Sequence, residues 1–172
     1  LALVASGAKL DPADPTKTVF NDQLSVIDLT ARRPRIVATL QTGRRAAGVS
    51  INRAGTLALV ANRAEGTVSV FAIAGKTVSA AGKVDLGAPD SSPSLPVFSP
   101  DGRTAYVTEN TANRVAVLSI NGTQVEYTKQ DISAGLAPYG PEVAPSGNVA
   151  VVANIGNGPT GGSDTLQVID LT

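Results

Sequence analysis

The sequence predicts an all-β chain built from a repeated four-stranded antiparallel unit, and three observations carry that expectation. The decamer NDQLSVIDLT (21–30) returns as SDTLQVIDLT (163–172), identical at 7 of 10 positions. An apolar tetrad recurs as Leu3–Ser6, Leu59–Asn62, Tyr106–Glu109 and Val151–Asn154, at spacings of 56, 47 and 45 residues. No stretch of helical length shows a 3.6-residue apolar period; the apolar runs are short, rich in Val, Ile, Leu and Thr, and bounded by Gly, Pro, Asn and Asp.

The elements follow in order from the repeat. Each tetrad is one strand, and a second follows it: Gln23–Leu29, Thr67–Ile73, Arg114–Ile120 and Thr165–Leu171. The twin decamers are therefore the same strand of the first and last repeats. Turns precede the later tetrads at Ala54-Gly55, Asp101-Gly102 and Ser146-Gly147, and Asp-Gly and Asn-Gly pairs suit tight hairpins because they tolerate positive φ. The third repeat shows a full unit: strand A at Leu95–Ser99, B at Thr104–Thr108, C at Arg114–Ile120 and D at Val125–Asp131. A four-stranded meander recurring at roughly 45 residues is the period of a β-propeller blade. Runs such as ALVA and VAVVA, apolar on both faces, fit a sheet covered on both sides; a two-sheet sandwich is the rival. The chain divides as strands B–D of one blade (1–43), a second blade (44–87), a third (88–135) and strands A–C of a fourth (136–172).

The pattern SPDGRTAYVTENTANRVAVLSI (99–120), with INRAGTLALVANRAEGTVSVFAI (51–73) beside it, is similar to the YVTN repeat of bacterial and archaeal β-propellers, which belongs with the lactonase-like seven-bladed superfamily. The resemblance covers essentially the whole chain. It implies a ring of about seven blades, of which these residues supply an incomplete ring of about four. A chain opening LALVAS, without Met and already in a strand pattern, reads as an excerpt from a longer one, with cut blades whose open edges invite self-association.

Composition excludes much chemistry. The 172 residues carry 14 basic and 14 acidic side chains, so no net field favours nucleic acid. With no Cys there is no disulfide or thiolate chemistry, and with no His the usual general base and commonest metal ligand are missing. No cofactor, metal or catalytic set is expected. No run approaches a membrane span, and zero Cys suits an exported bacterial protein, so a periplasmic or secreted location is expected.

By the propeller resemblance, the D–A and B–C loops share one rim and the A–B and C–D turns the other. Both length insertions, Gly7–Asn21 and Ile155–Ser163, are B–C loops, which marks that rim as functional. The candidate ligand or partner face is Arg44, Arg45, Arg63, Asp90, Ser91, Tyr139 and Glu142. Glu142 occupies a channel-lining position that is Ser50 and Val97 in other repeats; a solvated charge in a wet channel is the plainer reading.

Other signals weigh less. Gly156–Gly161 matches G-x-G-x-x-G, but a strand rather than a helix follows, so a nucleotide site is rejected. Seven arginines and no acid lie between Arg32 and Arg63, yet Arg32, Arg33 and Arg53 fall on the hairpin rim and Arg44, Arg45 and Arg63 on the other. Asp11, Asp14 and Asp22 match no calcium loop. Asn121-Gly122-Thr123 is a sequon placed on a hairpin, and Asn62 and Asn154 read as strand-end residues bonding backbone. The expected function is a non-catalytic binding or scaffold propeller of the cell envelope with an unknown protein or small-molecule ligand. The alternative is a lactonase-type hydrolase resembling phosphogluconolactonase. A propeller attached to a haem or copper enzyme is a third reading, and nothing here ligates either metal in the usual way.

Overall fold

The computed structural model describes residues 1–156 and 162–172, and its described residues form fourteen strands and no helix. They fold as four antiparallel sheets in chain order. Sheet one holds β1 (Ala2–Leu10), β2 (Thr18–Asp28) and β3 (Arg35–Gln41). Sheet two holds β4 (Ala46–Ile51), β5 (Leu57–Asn62), β6 (Thr67–Ala74) and β7 (Thr77–Asp85). Sheet three holds β8 (Pro93–Phe98), β9 (Thr104–Glu109), β10 (Arg114–Asn121) and β11 (Gln124–Ser133). Sheet four holds β12 (Pro138–Val143), β13 (Val149–Asn154) and β14 (Thr165–Asp170). The architecture is that of consecutive propeller blades, and the sheets do not close into a ring.

Period-2 side-chain alternation explains why the central strands are apolar throughout. Leu57, Leu59, Val68 and Val70 point from sheet two to Phe98, Ala105, Val107 and Leu118 of sheet three. The intervening Ala58, Val60 and Phe71 point the other way, to Leu24 and Val26 of sheet one. Val115 of sheet three meets Val143, Val152 and Ile169 of sheet four. The core is thus three inter-sheet layers, and each interior sheet contributes to two of them. Burying one such Val or Leu contributes about 1.5–3 kcal/mol.

The hairpins turn on glycines in the left-handed region at corresponding positions: Gly55, Gly102 and Gly147 in the A–B turns, at φ 69°, 71° and 79°. The strands otherwise lie within a residue or two of the expected ones. A difference concerns the first insertion. Rather than an open loop, β1 and β2 continue as a ribbon, with Ala8, Lys9 and Leu10 paired to Phe20, Val19 and Thr18 beyond a bulge at Gly7. Only Asp11–Lys17 remains as its tip.

Candidate functional site

The D–A and B–C loops are joined by one motif used three times. Arg45 O accepts from Arg63 N at 3.1 Å and Arg44 O from Ala64 N at 3.2 Å. Ser92 and Ser91 do the same for Asn110 and Thr111, and Ala137 and Leu136 for Ile155 and Gly156. The second carbonyl of each pair belongs to a residue in the left-handed region, Arg45, Ser92 and Ala137 at φ of 56°, 54° and 53°. None is glycine, so each carries on the order of 1 kcal/mol of backbone strain or more. Immediately afterwards every inner strand breaks register: Ala46/Val49 in β4, Pro93/Pro96 in β8 and Pro138/Gly140 in β12. Such bulges re-aim side chains.

In β12 the bulged residue is Tyr139. Its exposed ring lies 5.9 Å from the Arg63 guanidinium carbon. Arg63 Nη2 donates to Asn110 Oδ1 at 3.3 Å, and Asn110 Nδ2 donates to the Pro138 carbonyl at 3.3 Å. Thr108 Oγ1 donates to the Tyr139 carbonyl at 3.0 Å. Side chains from sheets two, three and four therefore meet at the rim that carries the insertions. Arg63 Nε is buried without a partner among the described residues.

The other expected residues distribute around this cluster. Arg44 and Arg45 stand over the Phe20 ring of the ribbon at 5.4 and 5.9 Å. Asp22 Oδ1 accepts from Arg45 N at 2.9 Å, which uses that carboxylate locally. Glu142 is exposed on β12, opposite Val151. Asp90 and Ser91 lie farther out, lining a 280 Å³ cavity with Thr111 and Arg114. Ser91 is 3% exposed and its Oγ has no partner among the described residues.

Asp11 and Asp14 shape the ribbon tip: Asp11 Oδ1 accepts from Ala13 N, and Asp14 accepts from Thr16 and pairs with Lys17 at 2.9 Å. Hydrogen bonds from Thr16 and Lys17 hold the Asp14 carboxyl below its ordinary value. Arg53 lies on the hairpin rim beside Asp101 and Gly102. The G-x-G-x-x-G string and the second insertion fall largely on residues 157–161, outside the described residues.

Asn62 and Asn154, expected as strand-end residues bonding backbone, belong with Glu109, not singled out from the sequence, to a buried row closing the tetrads. Asn62, Glu109 and Asn154 are 0%, 0% and 2% exposed. Asn62 Oδ1 accepts from Gly43 N at 3.1 Å while its Nδ2 donates to Thr67 and Ser69 at 2.9 and 3.0 Å. Asn154 keeps the bond to Thr165, at 3.2 Å. Gln167 takes the position of Ser69, and its Oε1 captures Gly135 N at 2.9 Å. That leaves Asn154 Oδ1 unpaired among the described residues. In sheet three the row is ionic instead: Glu109 pairs with Arg114 at 2.5 Å, and Arg114 with Asp131 at 2.9 Å. Burial and the hydrogen bond to Asp131 push the Tyr127 hydroxyl up to about 12. The clue in the sequence was Glu standing where two other tetrads end in Asn.

No protein-family model matches the chain, and no curated protein matches it. Solved structures do. A Bacteroides uniformis protein provisionally described as a 6-phosphogluconolactonase is 17% identical with a TM-score of 0.68, over 87% of this chain and 52% of its own. The hydrazine synthase of Kuenenia stuttgartiensis is 22% identical with a TM-score of 0.70, over 87% and 40%. The periplasmic gluconolactonase of Pseudomonas aeruginosa is 18% identical with a TM-score of 0.63, over 87% and 48%. The chain spans about half the length of these structures. At these identities the likeness shows the β-propeller fold alone, and no family model supports the narrower YVTN resemblance.

The expectation of a non-catalytic scaffold is overturned by these neighbours, whose names favour the lactonase alternative. It rested on the regularity of the repeats, the zero net charge and the lack of a convergent catalytic set in the sequence. Inner strands of successive sheets crowd together at the rim, however, so a long side chain spans them, as Arg63 does in reaching Tyr139.

Proposed function

We propose that this chain forms the lactone-binding part of a lactonase-type hydrolase. The convergence of Arg63, Asn110 and Tyr139 from three sheets on the insertion-bearing rim carries the reading, and the names of the lactonase neighbours support it. Lactone opening adds water to an acyl carbon. A carboxylate accepts the water proton as the new C–O bond forms, cationic donors stabilise the oxyanion, and the ring C–O bond then breaks as the alkoxide leaving group takes up a proton.

Glu142, exposed on the same inner strand as Tyr139, is assigned as the base. Arg63 is assigned as the oxyanion donor. Asn110 fixes it by accepting from one guanidinium nitrogen while anchored to the Pro138 carbonyl, so little reorganisation accompanies the developing charge. The name of the Pseudomonas neighbour and the absence of Cys support a periplasmic setting.

The test is acid release from gluconolactone and 6-phosphogluconolactone, followed with a pH indicator and compared with spontaneous hydrolysis. The reading expects a rate above background that Arg63→Ala removes. A rate equal to background with both lactones would sink it.

A further inference from the structure

We propose that the crevice between the β7–β8 and β9–β10 loops is a second binding site, one that takes a neutral polyhydroxy compound such as a monosaccharide. Comparison of sheet three with sheet two carries the inference. Residues 110–114 correspond to residues 63–67, because Asn110 N and Thr111 N make the bonds of Arg63 N and Ala64 N. Asn113 and Gly66 likewise share the left-handed region, at φ 54° and 64°. In the facing loop, Asp90 and Ser91 correspond to Gly43 and Arg44. Sheet two fills its crevice with a side chain of its own. The Glu65 carboxylate accepts from Thr67 Oγ1 and Lys83 Nζ, both at 3.1 Å, and leaves no room for a Cβ at Gly43. Sheet three has Ala112 in place of Glu65, and the 280 Å³ cavity opens beside it. Sheet three packs on sheet two by one face and on sheet four by the other, so its neighbours on both sides are present.

The walls say what the space accepts. Ser91 lines the cavity, and its buried hydroxyl has no partner among the described residues; a buried polar group left so favours a ligand that bonds it. Asp90, exposed where sheet two has Gly43, forms no ion pair among the described residues. Arg114 stands where sheet two has Thr67, but Glu109 and Asp131 already offset its charge. An anion would therefore meet a compensated guanidinium and the Asp90 carboxylate. A metal ion would meet that single free carboxylate. A neutral ligand rich in hydroxyls fits better. One hydroxyl donates to Asp90 while accepting from Ser91 or from an Arg114 N–H left over from the two carboxylates, and its C–H face rests on Pro89 and Ala112. At 280 Å³ the space is near the lower end for small-molecule clefts, about 300 Å³, which suits a single sugar ring.

Titration of D-glucose and of sorbitol into the isotope-labelled chain, followed by amide chemical shifts, tests this. Neither compound is a lactone, so the outcome does not depend on the hydrolase reading. Saturable shifts at residues 90–92 and 111–113 are expected, with a Kd of about 1–10 mM for a small ligand held by a few hydrogen bonds. Asp90→Ala should weaken binding about tenfold or more, the loss of one hydrogen bond to a charged group. Ala112→Glu combined with Asp90→Gly copies sheet two and should abolish binding by filling the crevice. Should that pair fail to fold, Ser91→Ala removes only an unpaired hydroxyl and should still weaken binding. No saturable shift up to about 100 mM, shifts confined to Arg63 and Tyr139, or an affinity unchanged by Asp90→Ala and Ser91→Ala would overturn the proposal. So would gluconate or glucosamine binding about tenfold more tightly than glucose, since either would make the recognised group a charge.

Discussion

The Arg63 guanidinium lies 5.9 Å from the centre of the Tyr139 ring, although the first belongs to sheet two and the second to sheet four. The third sheet supplies Asn110 between them. A cation held over an aromatic face contributes about 0.5–1 kcal/mol at an exposed site, which steadies the guanidinium without neutralising it.

On that geometry Arg63→Ala lowers kcat/KM for lactone hydrolysis by about 100-fold, the loss typical of removing an oxyanion donor. Arg63→Lys restores only a small part, because an ammonium keeps the charge but not the planar stack on Tyr139. Tyr139→Leu costs a few-fold. Steady-state kinetics on the three variants checks the order.

Glu142→Gln removes the assigned base while preserving shape, and kcat falls by about 100-fold or more with KM little changed. A change confined to KM would reassign Glu142 to binding.

The Lys76 ammonium and the hydrogen bonds from Thr30 hold the Asp28 carboxyl well below its ordinary value of 3.8. A carboxyl more acidic in the folded than in the unfolded state adds stability that is complete above the unfolded value and lost as pH falls below it. The contact between sheets one and two therefore weakens below about pH 4. Urea midpoints measured from pH 6 to pH 2 should fall less steeply for Asp28→Asn than for the parent chain.

Gly43→Ala is expected to destabilise by about 1–3 kcal/mol, as overpacking does. A Cβ there would sit 2.6 Å from Asn62 Cγ and 2.4 Å from Glu65 Oε2. Gly135 faces Asn154 in the same way, at 2.6 Å, so Gly135→Ala should behave alike. Denaturant unfolding measures both.

Arg114→Met strands the fully buried Glu109 carboxylate and should cost about 3–5 kcal/mol. Transplanting the polar set of sheet two, as Glu109→Asn with Arg114→Thr and Ala116→Ser, recovers most of it, since Asn62, Thr67 and Ser69 satisfy one another without charge.

The sequence by itself determined the strands, their order and the four repeats. Tetrad spacing, alternation and turn glycines are local, and each sheet is built from consecutive residues. It also separated the two rims, because loop length and the placing of Arg53 against Arg63 follow from the same register. The first insertion was legible as an insertion but not as a ribbon, since Phe20 pairing with Ala8 depends on a bulge at Gly7 that no motif announces. The meeting of Arg63, Asn110 and Tyr139 was decided only by the tertiary structure. Contacts among residues of three sheets depend on how closely the inner strands pack and where their bulges aim a side chain, and neither is set by any local stretch of sequence. The ionic row at Glu109 is of the same kind: the residue is visible in the sequence, but its complete burial comes from the neighbouring sheets.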